Sequence, residues 1–148
     1  MIAAPYPFVI HNRNKLYFFE SSGKQKVIKA VHNSYVEDRV YNLGLADFEH
    51  GRLDFQRFTG NEDVWKVLNT VAAIVIRFTE FYPDAEVLIR AADEKRRRLY
   101  NRIFEHRIEQ IEVLFEVAGF IDYKNKIFEP FLTGQYYEAF LVRRKTQE

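Results

Sequence analysis

The chain has 148 residues, of which 47% are hydrophobic and 16% aromatic, and its 22 basic and 21 acidic residues leave a net charge of +1. This composition is too apolar for a disordered chain and typical of one compact domain, while the near-zero charge disfavours a dedicated nucleic-acid binder. There is no cysteine, which excludes disulfides, thiolate zinc sites and a cysteine nucleophile.

The first third of the sequence predicts two β-hairpins. Segments 15–20 (KLYFFE) and 26–33 (KVIKAVHN) flank a turn that contains serine and glycine. Segments 39–49 (RVYNLGLADFE) and 52–58 (RLDFQRF) flank a His-Gly turn in the same way. Aromatic and β-branched residues dominate these segments, and such residues favour strands bounded by turn residues.

A change of period at Val64 predicts a long helix. From Val64 to Tyr82 the apolar residues recur at spacings of three and four, which is the pattern of a buried helix face. The Tyr-Pro-Asp sequence that follows is expected to end this helix. Thr59 and Glu62 stand three residues apart just before it, as a capping box requires.

The same stretch, residues 64–81, is too polar to span a membrane because it contains Lys66, Asn69 and Arg77. The N-terminal segment MIAAPYPFVIHNRNK has no long apolar run preceded by basic residues, so no signal peptide is expected. We therefore expect a single cytoplasmic domain over residues 1–148.

The second half alternates strands with another helix. A short apolar strand (85–91) precedes a long helix (94–117), which Gly119 is expected to close. Two strands are expected after it, at roughly 120–128 and at 136–144. The order of elements predicts an α/β (α+β) fold with one twisted, mixed or antiparallel sheet and two long helices.

This order, together with the segment Arg57-Phe58-Thr59-Gly60-Asn61-Glu62, resembles a GNAT-type acetyltransferase over roughly residues 40 to 145. In that fold a central strand ends in an Arg/Gln-x-x-Gly-x-Gly/Ala loop, whose amides hold the pyrophosphate of acetyl-CoA at a helix start. The resemblance implies a GNAT-like topology. It also implies a divergent acyl-CoA-dependent N-acyltransferase, with Arg57, Gly60 and Asn61 binding acetyl-CoA or CoA.

The sequence departs from the acetyltransferase pattern at three positions. Glu62 stands where the loop has glycine or alanine, and Asp63 follows it. Two carboxylates in the first turn of a helix suit its dipole but repel a pyrophosphate. Phe115 occupies the position at which these enzymes often place a tyrosine as general acid.

A second resemblance rests on five segments: FFESSGKQKVIKAV, YNLGLADFE, VLNTVAAIVIRF, RRRLYNRI and YYEAFLVRRK. They are similar to segments of a family of small bacterial proteins of about this length whose function is uncharacterised. The similarity extends over nearly the whole chain. It implies family membership without an activity that can be carried over.

Four consecutive basic residues, Lys95–Arg98, open the second predicted helix. At about 100° per residue, Arg96 lies inside the apolar stripe, Arg97 lies at its edge, and Lys95 and Arg98 point away. One interpretation is that Arg96 binds an anionic group. The other is that its guanidinium pairs with a carboxylate, for which Asp93 is close in sequence.

Arg107 lies near the centre of the same stripe, between Phe104 and Ile111, where an apolar residue is expected. A buried charge requires a carboxylate, backbone carbonyls or a water-filled pocket. Structural pairing and a place in a ligand pocket both remain open for Arg107.

The loop before the first helix also allows two interpretations. Gly60 and the amides after it could cradle a phosphate or carboxylate. Alternatively, Thr59 or Asn61 caps the helix, and the two acids that follow complement its dipole. The 4 histidines show no ligand spacing, so no metal site is expected.

Three functional hypotheses result. In the first, a cleft formed by 57–63 and 91–97 binds a small anionic molecule or a protein partner, with Arg57, Gly60, Asn61, Arg96 and Arg107 as ligand-binding residues. In the second, the protein is a divergent N-acyltransferase that uses acetyl-CoA or CoA. In the third, it is an interaction module or a homodimer joined through aromatic edge strands, without catalysis. The sequence leaves open whether it is an enzyme, and we expect neither membrane nor nucleic-acid partners.

Overall fold

The computed structural model describes residues 4–55, 62–91 and 93–146. Within these ranges the strands are β1 (Phe8–His11), β2 (Leu16–Ser22), β3 (Lys26–Glu37), β4 (Val40–Glu49), β5 (Arg52–Asp54), β6 (Glu86–Arg90), β7 (Phe115–Asp122), β8 (Ile127–Pro130) and β9 (Ala139–Arg144). The helices are α1 (Val64–Phe81) and α2 (Glu94–Leu114). The strands form one mostly antiparallel sheet in the order β1-β2-β3-β4-β6-β9-β7-β8, with β5 paired to β4. The predicted α/β class with two long helices is confirmed.

The chain divides into two compact units. The first comprises Met1–Ser34 and Leu43–Pro83, and the second comprises Tyr35–Asn42 and Asp84–Glu148. The first unit contains β1, β2, β5 and α1, together with most of β3 and β4. The second contains α2, the strands β6 to β9, and the remaining ends of β3 and β4.

The first unit contains both predicted hairpins and one strand that was not predicted. β2 pairs with β3 in antiparallel register, with Tyr17 opposite Val31. The additional strand, β1, pairs with β2, so that Phe8 lies opposite Phe19. A strand of four residues carries too little periodicity to be identified alone. Its pairing with β2 is what defines it.

The helix α1 has the bounds that the change of hydrophobic period predicted, and Tyr82 follows as its C-cap residue. Its buried apolar residues are Val67, Leu68, Ile74, Val75 and Phe78. The predicted capping box is wrong. Asp63 is the N-cap residue, so Glu62 precedes the helix and cannot supply the side chain at its third position. Thr59, the other member of that prediction, lies outside the described residues.

The second unit is built around β9. This strand pairs with β6, where Leu141 lies opposite Leu88, and with β7, where Val142 lies opposite Val117. The helix α2 contributes Phe104, whose ring stacks on that of Phe140 in β9 with centroids 4.0 Å apart. Aromatic stacking adds to the apolar area buried between helix and strand, so this pair holds α2 on the sheet.

The predicted end of α2 is wrong. The helix ends at Leu114, and β7 begins at the next residue without a loop. Phe115 already has an extended backbone, with φ of −127° and ψ of 150°. Gly119 therefore does not close the helix but lies inside β7. The apolar residues around this junction fit a helix stripe as well as a buried strand, and pairing with β9 decides between them.

Gly119 is required because a buried aromatic ring lies against it. A methyl group at this position would lie 2.5 Å from Cε1 and Cγ of Tyr137. The Tyr137 hydroxyl donates to Glu129 at 2.7 Å and accepts from the Leu132 amide at 2.9 Å. The Asn101 side chain bonds both the amide and the carbonyl of Tyr137, each at 2.8 Å. These bonds fix the ring against β7.

Candidate functional site

The five predicted ligand-binding residues fall into two groups. Arg57, Gly60 and Asn61 lie outside the described residues. Arg96 and Arg107 both lie on α2. The predicted cleft formed by 57–63 and 91–97 stays a prediction.

The start of α1 is organised by Asp63. Its carboxylate accepts hydrogen bonds from the Tyr6 hydroxyl at 2.5 Å and from the Ser21 hydroxyl at 2.6 Å. The Asp63 side chain makes no capping bond to the helix amides. Ser21 is fully buried at the end of β2, so its interpretation as a turn residue is wrong. Asp63 therefore ties the N-terminal segment and β2 to the beginning of α1.

The first turn of α1 carries no acidic residue. It does carry Lys66, which is exposed and whose Nζ lies 4.4 Å from the centroid of the Tyr6 ring. The positive end of the helix dipole is thus accompanied by a cation. The carboxylate nearest in sequence, Asp63, is engaged by two hydroxyl donors.

At the start of α2 the side chain of Asp93 caps the helix, accepting from the Arg96 amide at 2.8 Å. The Arg96 side chain points inward, as helical geometry predicted, and the residue is 5% exposed. Its Nε lies 3.6 Å from the second carboxylate oxygen of Asp93. The structure thus contains the ion pair that was one of the two interpretations of Arg96.

Two residues of the basic cluster at Lys95–Arg98 pair with Glu94. The Glu94 carboxylate lies 3.2 Å from Arg97 and 3.5 Å from Arg98. It also accepts a hydrogen bond from the Tyr136 hydroxyl at 2.8 Å. Lys95 and Arg98 are exposed, as predicted. Exposed ion pairs of this kind contribute little to stability, but they lower the local positive charge that a nucleic acid would meet.

Arg107 is less buried than its position in the apolar stripe predicted. It is half-buried rather than part of the core, and it donates to the side chain of Gln110 at 3.3 Å. A long side chain can lay its methylene groups on apolar surface while the guanidinium stays near water. A position near the centre of the stripe therefore did not require a buried charge.

Tyr100 belongs to α2 and is one of its buried residues. Burial raises the pKa of its hydroxyl from 10.0 to about 12, although Arg96 opposes the shift. Between pH 10.0 and about 12 the Tyr100 hydroxyl has lost its proton in the unfolded chain but keeps it in the folded chain. The free energy of unfolding therefore falls as the pH rises above about 10.

We expect Tyr100→Phe to reduce this alkaline loss of stability. A rise in pKa from 10.0 to about 12 corresponds to a loss of about 3 kcal/mol once the pH exceeds both values. Tyr17 adds to the wild-type loss in the same direction, because burial also raises its pKa to about 12. Urea unfolding measured between neutral and strongly alkaline pH checks this expectation. Identical pH dependence in the variant and the wild type would contradict it.

A buried ion pair between β3 and β4 was not predicted. Lys29 Nζ lies 2.8 Å from Asp47 Oδ1, and the two side chains are 1% and 4% exposed. Asp47 lies in the predicted strand segment 39–49, where an isolated carboxylate is usually a surface residue. The position of Lys29 between Val27 and Val31 on one face of a strand was the available signal.

The strand β8 is the last in the sheet order. Its residues Ile127 and Phe128 are 53% and 58% exposed, and the Phe128 ring lies 5.3 Å from that of Phe120. Pro130 in the same strand has no N–H group to donate to another strand. The predicted homodimer through edge strands stays a prediction.

A group of metal ligands and a helix that could span a membrane are both absent from the described ranges. Among residues 4–55, 62–91 and 93–146, no three His, Asp or Glu side chains are grouped so that they could hold a metal ion. In the same part of the chain, no helix is both long and apolar enough to cross a membrane.

Comparison with known proteins gives one assignment. Neither the curated proteins nor the solved structures contain a match to this sequence. Residues 3–145 match the model of a family of unknown function, DUF6934. This match covers nearly the whole chain and confirms the predicted membership of a family whose function is uncharacterised. The chain belongs to the family of unknown function DUF6934.

Proposed function

We propose that the protein binds a small phosphate-bearing anion at the start of α1. The observation that carries this proposal is that the Asp63 side chain does not cap the helix but accepts from Tyr6 and Ser21. A helix start without a side-chain cap offers amide donors and the positive end of the dipole to a ligand. Phosphate groups commonly bind to such helix starts.

The geometry weakens the main objection to a phosphate ligand. The sequence places Glu62 and Asp63 beside the expected site. Glu62 precedes the helix with a left-handed backbone, φ 61°, and the Asp63 charge is engaged by two hydroxyls. Lys66 then supplies a positive charge in the first turn. The Lys66 charge and the positive end of the helix dipole favour an anion at this position.

The resemblance to GNAT-type acetyltransferases supports CoA and acetyl-CoA as the first ligands to try. A β-hairpin, α1, β6, α2 and β7 follow one another along the chain, in the order on which the resemblance rests. Under this proposal Arg57, Gly60 and Asn61 complete the phosphate site. Phe115 lacks the hydroxyl of the general acid that these enzymes often use, so the proposal is limited to binding.

We expect pyrophosphate, CoA or acetyl-CoA at millimolar concentration to raise the thermal unfolding midpoint. A ligand that binds the native state alone stabilises it, by about 2.7 kcal/mol at one hundred times its dissociation constant. Lys66→Glu should abolish this ligand-induced shift, because it places an acid beside the anion. The variant itself should remain folded and as stable as the wild type, since an acid in the first turn suits the helix dipole.

Lys95→Glu is the matched control, because it makes the same charge change in the first turn of α2. It should leave the ligand-induced shift intact. Arg96→Gln tests the other predicted anion site: if it alone removes the shift, the ligand binds at α2 and the proposal for α1 is wrong. An unchanged thermal unfolding midpoint with all three ligands would also contradict the proposal of an anion site at α1.

A further inference from the structure

In the described part of the first unit, four buried polar side-chain atoms have no hydrogen-bond partner. Among the described residues, the Tyr17 hydroxyl and both polar atoms of the Asn33 side chain are buried and make no hydrogen bond. Both residues are 0% exposed. The side-chain oxygen of Asn14, in the turn between β1 and β2, is in the same condition.

The register of β2 and β3 places these groups near one another. Tyr17 lies opposite Val31, so Asn33 is two residues further along β3 on the same face. Such diagonal neighbours are about 7–8 Å apart at the backbone. The Asn33 amide also donates to the Lys15 carbonyl at 2.8 Å, which brings Asn33 beside the turn that contains Asn14.

The C-terminal end of α1 adjoins the same region. Arg77 and Tyr82 lie close enough to Tyr17 to influence its pKa. The Tyr82 hydroxyl donates to the Arg13 carbonyl at 2.7 Å, and Lys15 Nζ lies 5.7 Å from the centroid of the Tyr82 ring. The turn between β1 and β2 is thus tied to the end of α1, close to Tyr17.

Folded proteins rarely leave buried polar atoms unpaired, because each such atom loses its bonds to water without replacement. An amide group that lacks partners for both its oxygen and its nitrogen is therefore unusual. Asn33 can donate and accept, and so can the Tyr17 hydroxyl. The complementary occupant is a small neutral molecule that also donates and accepts.

We propose that Asn33 and Tyr17 form an internal binding site for a small neutral polar molecule, either water or an organic amide or alcohol of similar size. Charge is not required of this occupant. Lys29, a buried charge on the same face of β3, pairs with Asp47 at 2.8 Å. The site is independent of the phosphate proposal, because it lies towards the opposite end of α1.

The test combines stability with a count of internal water. Asn33→Leu removes both amide atoms, and Tyr17→Phe removes the hydroxyl alone. We expect both variants to lower the urea midpoint, since each deletes a bond to the occupant. We also expect Asn33→Leu to lose at least one long-lived internal water in water-oxygen magnetic relaxation dispersion. Asn69→Leu, at another buried asparagine of the same unit, should leave that count unchanged.

Formamide distinguishes a site that holds only water from one that accepts small organic molecules. A saturable rise of the wild-type urea midpoint with formamide, lost in Asn33→Leu, identifies a site that accepts organic amides. Without such a rise, the water lost in Asn33→Leu identifies water as the occupant. Higher midpoints in Asn33→Leu and Tyr17→Phe would overturn the proposal, because they would mean that the polar atoms have no partner. Lower midpoints with an unchanged water count and no formamide effect would overturn it too. The polar atoms of Asn33 and Tyr17 would then have their hydrogen-bond partner within the chain itself.

Discussion

Replacing Lys29 by methionine is expected to lower the free energy of unfolding by roughly 3–5 kcal/mol. Lys29 Nζ lies 2.8 Å from Asp47 Oδ1, and neither side chain has appreciable access to water. Methionine fills most of the space of the lysine chain but leaves the Asp47 carboxylate buried without its ammonium partner. The cost of that buried charge, rather than lost packing, makes the expected effect large.

The double variant Lys29→Met, Asp47→Leu separates the two causes. Replacing both members of a buried pair by apolar residues is often close to neutral, so most of the lost stability should return. Urea unfolding with linear extrapolation measures both variants. Arg143→Met is the matched control, because Arg143 and Glu116 form an ion pair at 2.6 Å that is largely exposed. It should cause little change, and a Lys29→Met effect of the same small size would refute the argument.

Gly119→Ala is expected to destabilise the protein by about 1–3 kcal/mol, the range typical of overpacking a core. The added methyl group would lie 2.5 Å from two ring carbons of Tyr137. That ring cannot move freely, since Glu129 and Asn101 hold its hydroxyl and its backbone. In a strand without such a contact, alanine is more favourable than glycine by about 0.5–1 kcal/mol. A lower free energy of unfolding in Gly119→Ala therefore indicates the contact with Tyr137, and a higher one would indicate that the contact is absent.

Gly44→Ala provides the comparison for Gly119→Ala. A methyl group there would lie 2.7 Å from Cε1 of Phe55, a residue that is 38% exposed. An exposed ring can turn away more easily than a buried one, so the cost should be clearly smaller. Equal effects at Gly44 and Gly119, measured by thermal and urea unfolding, would show that the fixed Tyr137 ring is not the cause.

Local patterns were sufficient wherever one face of an element is buried along its whole length. The spacing of apolar residues predicted the start of α1, and the Tyr-Pro-Asp sequence predicted its end. Alternation between turn residues located the hairpin of β2 and β3. Helical geometry also predicted that Arg96 faces inward and Lys95 outward, as the fold has them. In each case the information lies within a few residues of the position concerned, because helix and strand periods are local properties of the backbone.

The candidate sites were less accessible from sequence, because their geometry depends on residues far apart in the chain. Asp63 looks like one of two acids that suit a helix start. Only the fold brings Tyr6 and Ser21 to its carboxylate and turns it away from the helix amides. Likewise, the unpaired atoms of Asn33 become notable only once the residue is known to be buried.

Hydrophobic period and turn residues were therefore enough to predict the α/β class, the existence of both helices and the position of α1. Long-range contacts determine that α2 stops at Leu114, that Gly119 faces an aromatic ring, and that Lys29 is buried against Asp47. Each of these depends on a partner supplied by a distant part of the chain. A residue's own neighbours in sequence carry no information about such a partner. The partner nevertheless determines the backbone conformation of the residue and whether a buried charge on it is tolerated.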